Sequence, residues 1–254
     1  MLDVDLLEWT FAPSDYFEQV IKVIRDDYKL VVGSGVAEAR VPSEVYDANP
    51  DIVAEIHASL KARLLGVQLV SFRPFDLSDA RRTRLHADGR KDIFITLKGA
   101  SMTITGGTVD VEVKTSSGDI VYSSKQQRTQ QKRSIAELVA KYKSTDPTLA
   151  LLLDSHNHAV LEPQNELVSL YEIRDGIATR FSGKWPALQQ LEVDAAIWKR
   201  LGQLCNDEPL RQGRHRGKSG TNTRDATERE LQEARDIART LLESYLRYLE
   251  RNAT

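Results

Sequence analysis

Four bases and a histidine crowd into the eight residues from Arg211 to Lys218: Arg211, Arg214, His215, Arg216 and Lys218. The nearby acids, Asp207 and Glu208, both precede them. Guanidinium groups present forked N–H donors that match a phosphate, and an imidazole that titrates near neutrality can move a proton. Residues of these types at this density can hold a phosphate and do acid/base work on it. The same arginines also suit carbonyls at helix ends, or acids such as Glu172 and Asp175. Sequence alone leaves both uses open.

Periodicity places one more cation. Leu167, Leu170, Tyr171, Ile177, Ala178 and Phe181 share one face of a helix predicted to open at Pro163, and Arg174 falls on that face. A guanidinium there needs a partner or a ligand, because an unpaired buried charge is costly. If the basic loop folds back over this helix, Glu172, Arg174 and His215 share a cleft.

Other motifs fail on spacing. Gly33-Ser-Gly35 opens like a dinucleotide fingerprint, but the third glycine is replaced by Glu38 and a strand pattern follows, so a hairpin turn is expected. In Gly213-Arg-His-Arg-Gly217-Lys218-Ser219 the glycines are one residue too close for a phosphate-binding P-loop, and no apolar strand precedes them. His156 and His158 flank Asn157 at a spacing that one helix face does not present together, which predicts surface histidines rather than metal ligands. Cys205 lies on an apolar helix face and reads as core, and no Gly-x-Ser-x-Gly elbow exists.

The elements that must position these residues fall into two kinds. The first half reads in twos. Glu8–Ala12 alternates, Tyr28–Val32 and Val36–Val41 flank the glycine turn, and Asp92–Leu97, Met102–Ile104, Val109–Val113 and Ile120–Tyr122 are further strand patterns. One helix, carrying Ile52, Val53, Ile56, Leu60 and Leu64, runs into Val67–Phe72, which reads as a strand ending at Pro74. Gln126–Arg133 is polar and reads as a linker or helix start. Beyond it the period is helical, with Asp194 a predicted cap and Thr227-Glu-Arg-Glu230 a capping box that opens the last helix. The expected fold is α+β: an antiparallel β-rich domain with one helix over 1–125, a linker and connecting helix over 126–145, and an all-α bundle over 146–254.

Composition sets the bounds. Of 254 residues, 41% are hydrophobic and 28% charged, so long disorder is not expected. The balance of 35 bases against 37 acids excludes a uniformly basic coat but not a local basic site. A single cysteine forbids an intramolecular disulfide and a cysteine-rich metal knuckle. The N-terminus has acids where a signal peptide needs bases, and apolar runs such as Leu149–Leu153 fall far short of the roughly 20 residues of a membrane span. A cytoplasmic protein without membrane contact is expected.

The part from about 146 to 254 resembles the HEPN superfamily of bacterial helical bundles. The carrying features are Asn165-Glu-Leu-Val-Ser-Leu-Tyr-Glu-Ile-Arg-Asp175, Trp198-Lys-Arg-Leu-Gly-Gln-Leu-Cys-Asn206 and Arg211-Gln-Gly-Arg-His215. The whole chain also resembles a group of bacterial proteins with the same Arg-His-Arg-Gly-Lys run, which brings no activity with it. Many HEPN proteins are metal-independent ribonucleases of toxin, antiphage or RNA-processing systems, and others are non-catalytic binding or dimerisation modules. Their motif is an arginine, a polar residue, and a histidine after about four to six intervening residues. Here Gln212 supplies the polar residue, but only three residues separate Arg211 from His215. The resemblance implies RNA as partner and His215 as acid/base. It gives Arg211 and Arg214 the developing phosphorane charge, Glu172 the orienting of a base, and Arg174, Arg216 and Lys218 contacts to RNA. It calls for no metal or other cofactor. It also implies a homodimer, for which Tyr245, Tyr248 and Leu249 offer a surface. The alternative is a non-catalytic interaction protein whose β-rich half binds a protein or small ligand.

Overall fold

A computed structural model describes residues 3–94, 112–114, 120–214 and 223–253. The chain is α+β, with an antiparallel N-terminal sheet and a helical C-terminal part. It divides into two compact units, Met1–Val67 with Phe75–Ala136, and Gln68–Pro74 with Glu137–Thr254.

The first unit is built on the alternation of β1 (Val4–Ala12), whose Asp5, Leu7, Trp9 and Phe11 are buried while the residues between them face outward. Around it run β2 (Ile21–Ile24), β3 (Lys29–Gly33), β4 (Val36–Pro42), β5 (Asp76–Leu77), β6 (Arg81–Leu85) and β7 (Lys91–Phe94). The order is β2-β3-β4-β1-β6-β7, with β5 beside the end of β1 and every pair antiparallel. Ser34 and Gly35 both take positive φ, 53° and 79°, as the expected tight β3–β4 hairpin requires. A short helix, α1 (Ser43–Ala48), follows β4. α2 (Ile52–Ser71) then lays Ile52, Ile56, Leu60 and Leu64 on the apolar face formed by Leu7, Trp9, Leu30 and Val32. A Cβ at Gly66 would stand 2.6 Å from Ala136 Cα, so this glycine lets α2 and α3 (Ser124–Tyr142) touch. Glu112–Lys114 and Ile120–Ser123 pair as β8 and β9.

The second unit contains α4 (Pro147–Leu161), α5 (Glu166–Arg180), α6 (Lys184–Leu191), α7 (Ala195–Gly202), a π-helical turn over Gln203–Asp207, and α8 (Glu228–Arg251). Leu167, Leu170, Ile173 and Ile177 of α5 meet the buried stripe Ala234, Ala238, Leu241 and Tyr245 of α8. Side chains satisfy the first N–H groups of three helices. Asp146 accepts from Leu149 N at 2.6 Å, Asp194 from Ala196 N at 2.7 Å, and Thr227 with Glu230 completes the capping box. Glu166, 1% exposed, accepts from Arg235 at 2.7 and 2.9 Å and ties α5 to α8.

Several sequence expectations need correction. Val67–Phe72 is not a strand. It falls at the end of α2, whose residues from Ala62 to Leu69 are all buried, so the short apolar run carried no period to distinguish a buried helix from a buried strand. Of the two readings of Gln126–Arg133, the helix start holds and the linker does not: it is the first half of α3, where Arg128 and Lys132 both pair with Glu18. His156 is 1% exposed, not at the surface, and packs edge-on to Phe72 at 5.4 Å. Tyr245 is fully buried and stacked on Tyr248 at 6.0 Å, which removes it from any dimer surface. The expected strand at 102–104 and most of the one at 109–113 lie outside the described residues.

Candidate functional site: an arginine between two rings

Tyr171 and Arg174 stand one turn apart on α5, and Trp198 and Gly202 one turn apart on α7. The Arg174 guanidinium lies 4.9 Å from the Tyr171 ring centre and 5.4 Å from that of Trp198. It fits because residue 202 is glycine: a Cβ there would overlap Arg174 Nη1. Directly after Gly202 the chain makes its π-helical turn, which buries Leu204 and Cys205. Burial pushes the Cys205 thiol above its ordinary pKa despite the nearby Arg174 charge, so Cys205 is inert packing rather than a nucleophile.

Among the described residues, Arg174 finds aromatic faces but no carboxylate at ion-pair distance. Its Nε is buried with no hydrogen-bond partner, as is Trp198 Nε1, and among the described residues no carboxylate pairs with it. Its head borders a cleft of about 190 Å³ whose lining includes Lys184, Lys199, Asn206 and Asp207. Trp185, the chain neighbour of Lys184, is 70% exposed, with Lys184 Nζ 4.7 Å from its ring centre.

The basic loop reaches the same place through Arg214. The backbone N–H of Arg214 donates to the Cys205 carbonyl at 2.8 Å. Its guanidinium donates to Asp175 at 2.9 Å and lies 4.9 Å from the Tyr171 ring centre. The loop is held on its other side, where Arg211 N donates to the Arg224 carbonyl at 2.9 Å and Ala226 N to Gln212 Oε1 at 3.0 Å. Arg224 itself is bound to Glu230, whose pKa is lowered to about 2 by the Arg224 hydrogen bonds and then by the Thr227 N–H.

No family model, curated protein or solved structure matches the chain. What the site can do therefore rests on its own geometry. The structure brings Arg174 and Arg214 together around Tyr171. It does not bring Glu172 to them: Glu172 is exposed, accepts from Ser155 Oγ at 3.2 Å, and lies about 200° around the helix from Arg174, so the shared cleft expected from sequence loses its acid. Arg211 also faces elsewhere, 3.4 Å from Asp225. His215, Arg216 and Lys218 lie outside the described residues. Sequence reading missed Lys184, Trp185, Lys199 and Gly202. The available signal was the pairing of Trp198 with Gly202 four residues on, a large ring followed by a gap of the kind that admits a long side chain. Among the described residues, no group of three or more His, Cys, Asp or Glu could hold a metal ion.

Proposed function

We propose that the helical unit is an RNA-binding, HEPN-like bundle that takes a phosphate of single-stranded RNA at the Arg174 cleft. The observation that carries this reading is the Arg174 charge, held by two rings at the edge of an open cleft and paired with no carboxylate among the described residues. A guanidinium without a carboxylate keeps its donors and its charge for an incoming anion. Lys184 and Lys199 add charge at the same rim, and exposed Trp185 supplies a face on which an unpaired base can stack. Asp175 and Asp207 limit the field, which suits one or two phosphates rather than a long duplex footprint.

The test is fluorescence anisotropy with a labelled single-stranded RNA of mixed sequence, titrated at several salt concentrations. Arg174→Met is expected to weaken binding about tenfold or more and to lower the salt slope by about one, since each phosphate that is no longer neutralised keeps its condensed counterion. Binding that Arg174→Met leaves unchanged would overturn the proposal. In its catalytic form, with two bundles paired and His215 as acid/base, His215→Ala abolishes RNA cleavage without lowering Arg174-dependent binding. A His215→Ala protein that still cuts removes the catalytic form and leaves the binding site standing.

A further inference from the structure

The sheet unit carries a second concave site, independent of the helical one. At one end of the sheet, Val4, Pro42 and Leu85 stand in register across β4, β1 and β6, on the face away from the α2 core. They form the apolar floor of a groove of about 340 Å³, bordered by the largely buried Tyr28. That volume is at the low end of the roughly 300–1,000 Å³ typical of small-molecule pockets. The turn between β2 and β3 and the start of β3 raise Arg25 and Lys29 over its rim.

Charge at the rim is unevenly paired. Arg40 also lines the groove but is held by Glu38 at 2.9 Å. His86 closes one end, and both its ring nitrogens face carboxylates: Nδ1 is 2.9 Å from Asp3 and Nε2 is 2.7 Å from Asp92. Only the doubly protonated ring can donate to both, so an imidazolium here has its charge already met. Arg25 and Lys29 are different. Arg25 lies 5.9 Å from the Tyr28 ring centre, and among the described residues neither it nor Lys29 has a carboxylate partner. Asp26 is the acid on the same rim.

We infer that this groove is a binding site for a small anion with an apolar body, a carboxylate or phosphate monoester whose head meets Arg25 and Lys29 and whose body lies over Val4, Pro42 and Leu85. The floor supplies area to be removed from water and the two rim cations supply orientation, a division of labour common in small-ligand sites.

Isothermal titration of the full chain with 2-naphthoate, 2-naphthyl phosphate and neutral 2-naphthamide tests this. Saturable one-to-one binding is expected for either anion, at least tenfold tighter than for the amide. Arg25→Ala with Lys29→Ala should weaken anion binding tenfold or more and leave the amide unchanged. Both residues are exposed, so the fold tolerates the change. Asp26→Asn should tighten anion binding, an effect opposite in sign to any loss of structure. Equal affinity for amide and anions, no binding of any probe at millimolar concentration, or a double variant that binds like wild type would each overturn the inference.

Discussion

Two arginines in this molecule are each held between a pair of aromatic rings, and they differ in what their nitrogens find. In the sheet unit, Arg82 lies 3.9 Å from the Tyr46 ring centre and 4.2 Å from that of Phe94, and its Nε donates to Asp5 at 2.8 Å. Arg84 grips the same carboxylate with Nε and Nη2, and Ser43 donates to it at 2.8 Å. Burial alone would raise the pKa of Asp5, but these hydrogen bonds from Arg84, Arg82 and Ser43 outweigh it and hold it below the ordinary carboxylate range. In the helical unit, Arg174 has the two rings and, among the described residues, no paired acid. Ring stacking alone thus does not distinguish a structural arginine from a binding one. On the proposed reading, closure of the charge does.

The largest effect should come from opening the closed cluster. Asp5→Asn leaves Arg82 and Arg84 facing a neutral amide in a buried setting, and breaking such a network costs about 3–5 kcal/mol. In a protein of this size that lowers Tm by roughly 10 °C, which calorimetry can read. RNA affinity of the folded protein should not change. Arg174→Met should show the reverse pattern, with stability within about 1 kcal/mol of wild type. Removing the cation–π attraction and relieving an unpaired buried Nε are effects of similar size and opposite sign. If Arg174→Met destabilises as much as Asp5→Asn, the two clusters are alike and Arg174 is structural.

The sequence showed the sheet, the helices and their caps because each depends on neighbours in the chain. The alternation of β1, the Ser34-Gly35 turn, Asp194 and Thr227-Glu230 are of this kind. It also placed Arg174 on an apolar face, where such a cation needs a partner or ligand. What it could not show was closure of charge. Asp5 meets Arg82 and Arg84 across strands nearly eighty residues apart, and nothing in either segment announces the other. The same blindness assigned Glu172 to the cleft, because a position two residues away looks near in sequence but lies on another face of a helix. Density of charge drew attention to Arg211–Lys218, whereas the arrangement with an unspent charge is assembled from α5, α7 and a single glycine.

Two histidines, His156 in the helical unit and His86 in the sheet unit, should respond to pH with opposite signs. Burial, with a smaller contribution from Arg239, lowers the His156 pKa from 6.5 to about 4, so the ring is neutral in the fold. Its stabilising contribution is full above 6.5 and is lost as pH falls from there towards 4, by roughly 3 kcal/mol. His86 has the opposite sign. Hydrogen bonds to Asp92 and Asp3 raise its pKa above 6.5, although Arg90 opposes this. Its contribution is full below 6.5 and fades as pH rises past the folded value. Imidazole proton shifts followed by NMR between pH 4 and 9 should separate the two, and His156→Leu should reduce the acid limb of stability without touching the alkaline one, leaving the share of that limb due to His57, whose pKa burial also lowers. A His156 resonance that titrates near 6.5 in the folded protein would show that the ring is wet.

Arg211 should give the smallest effect and the sharpest test of closure as a criterion. It belongs to the basic run that first suggested a phosphate site, and the resemblance assigns it to the phosphorane charge. In the structure it faces Asp225 at 3.4 Å, with both side chains nearly two-thirds exposed, 63% and 65%. Exposed pairs of this kind contribute about 0–1 kcal/mol, because water screens the attraction and two long side chains must be held in one geometry. Arg211→Ala should therefore shift Tm by no more than a degree or two. With its charge already met by Asp225 and directed away from Arg174, its removal should weaken RNA binding less than about threefold and leave the salt slope intact, whereas Arg174→Met lowers that slope by about one. A slope reduced by one in Arg211→Ala would mean that this arginine leaves Asp225 for a phosphate when RNA arrives. A weak exposed pair then closes a charge only until a stronger anion competes, and the criterion separating Arg82 from Arg174 would hold for buried carboxylates such as Asp5 but not for surface ones.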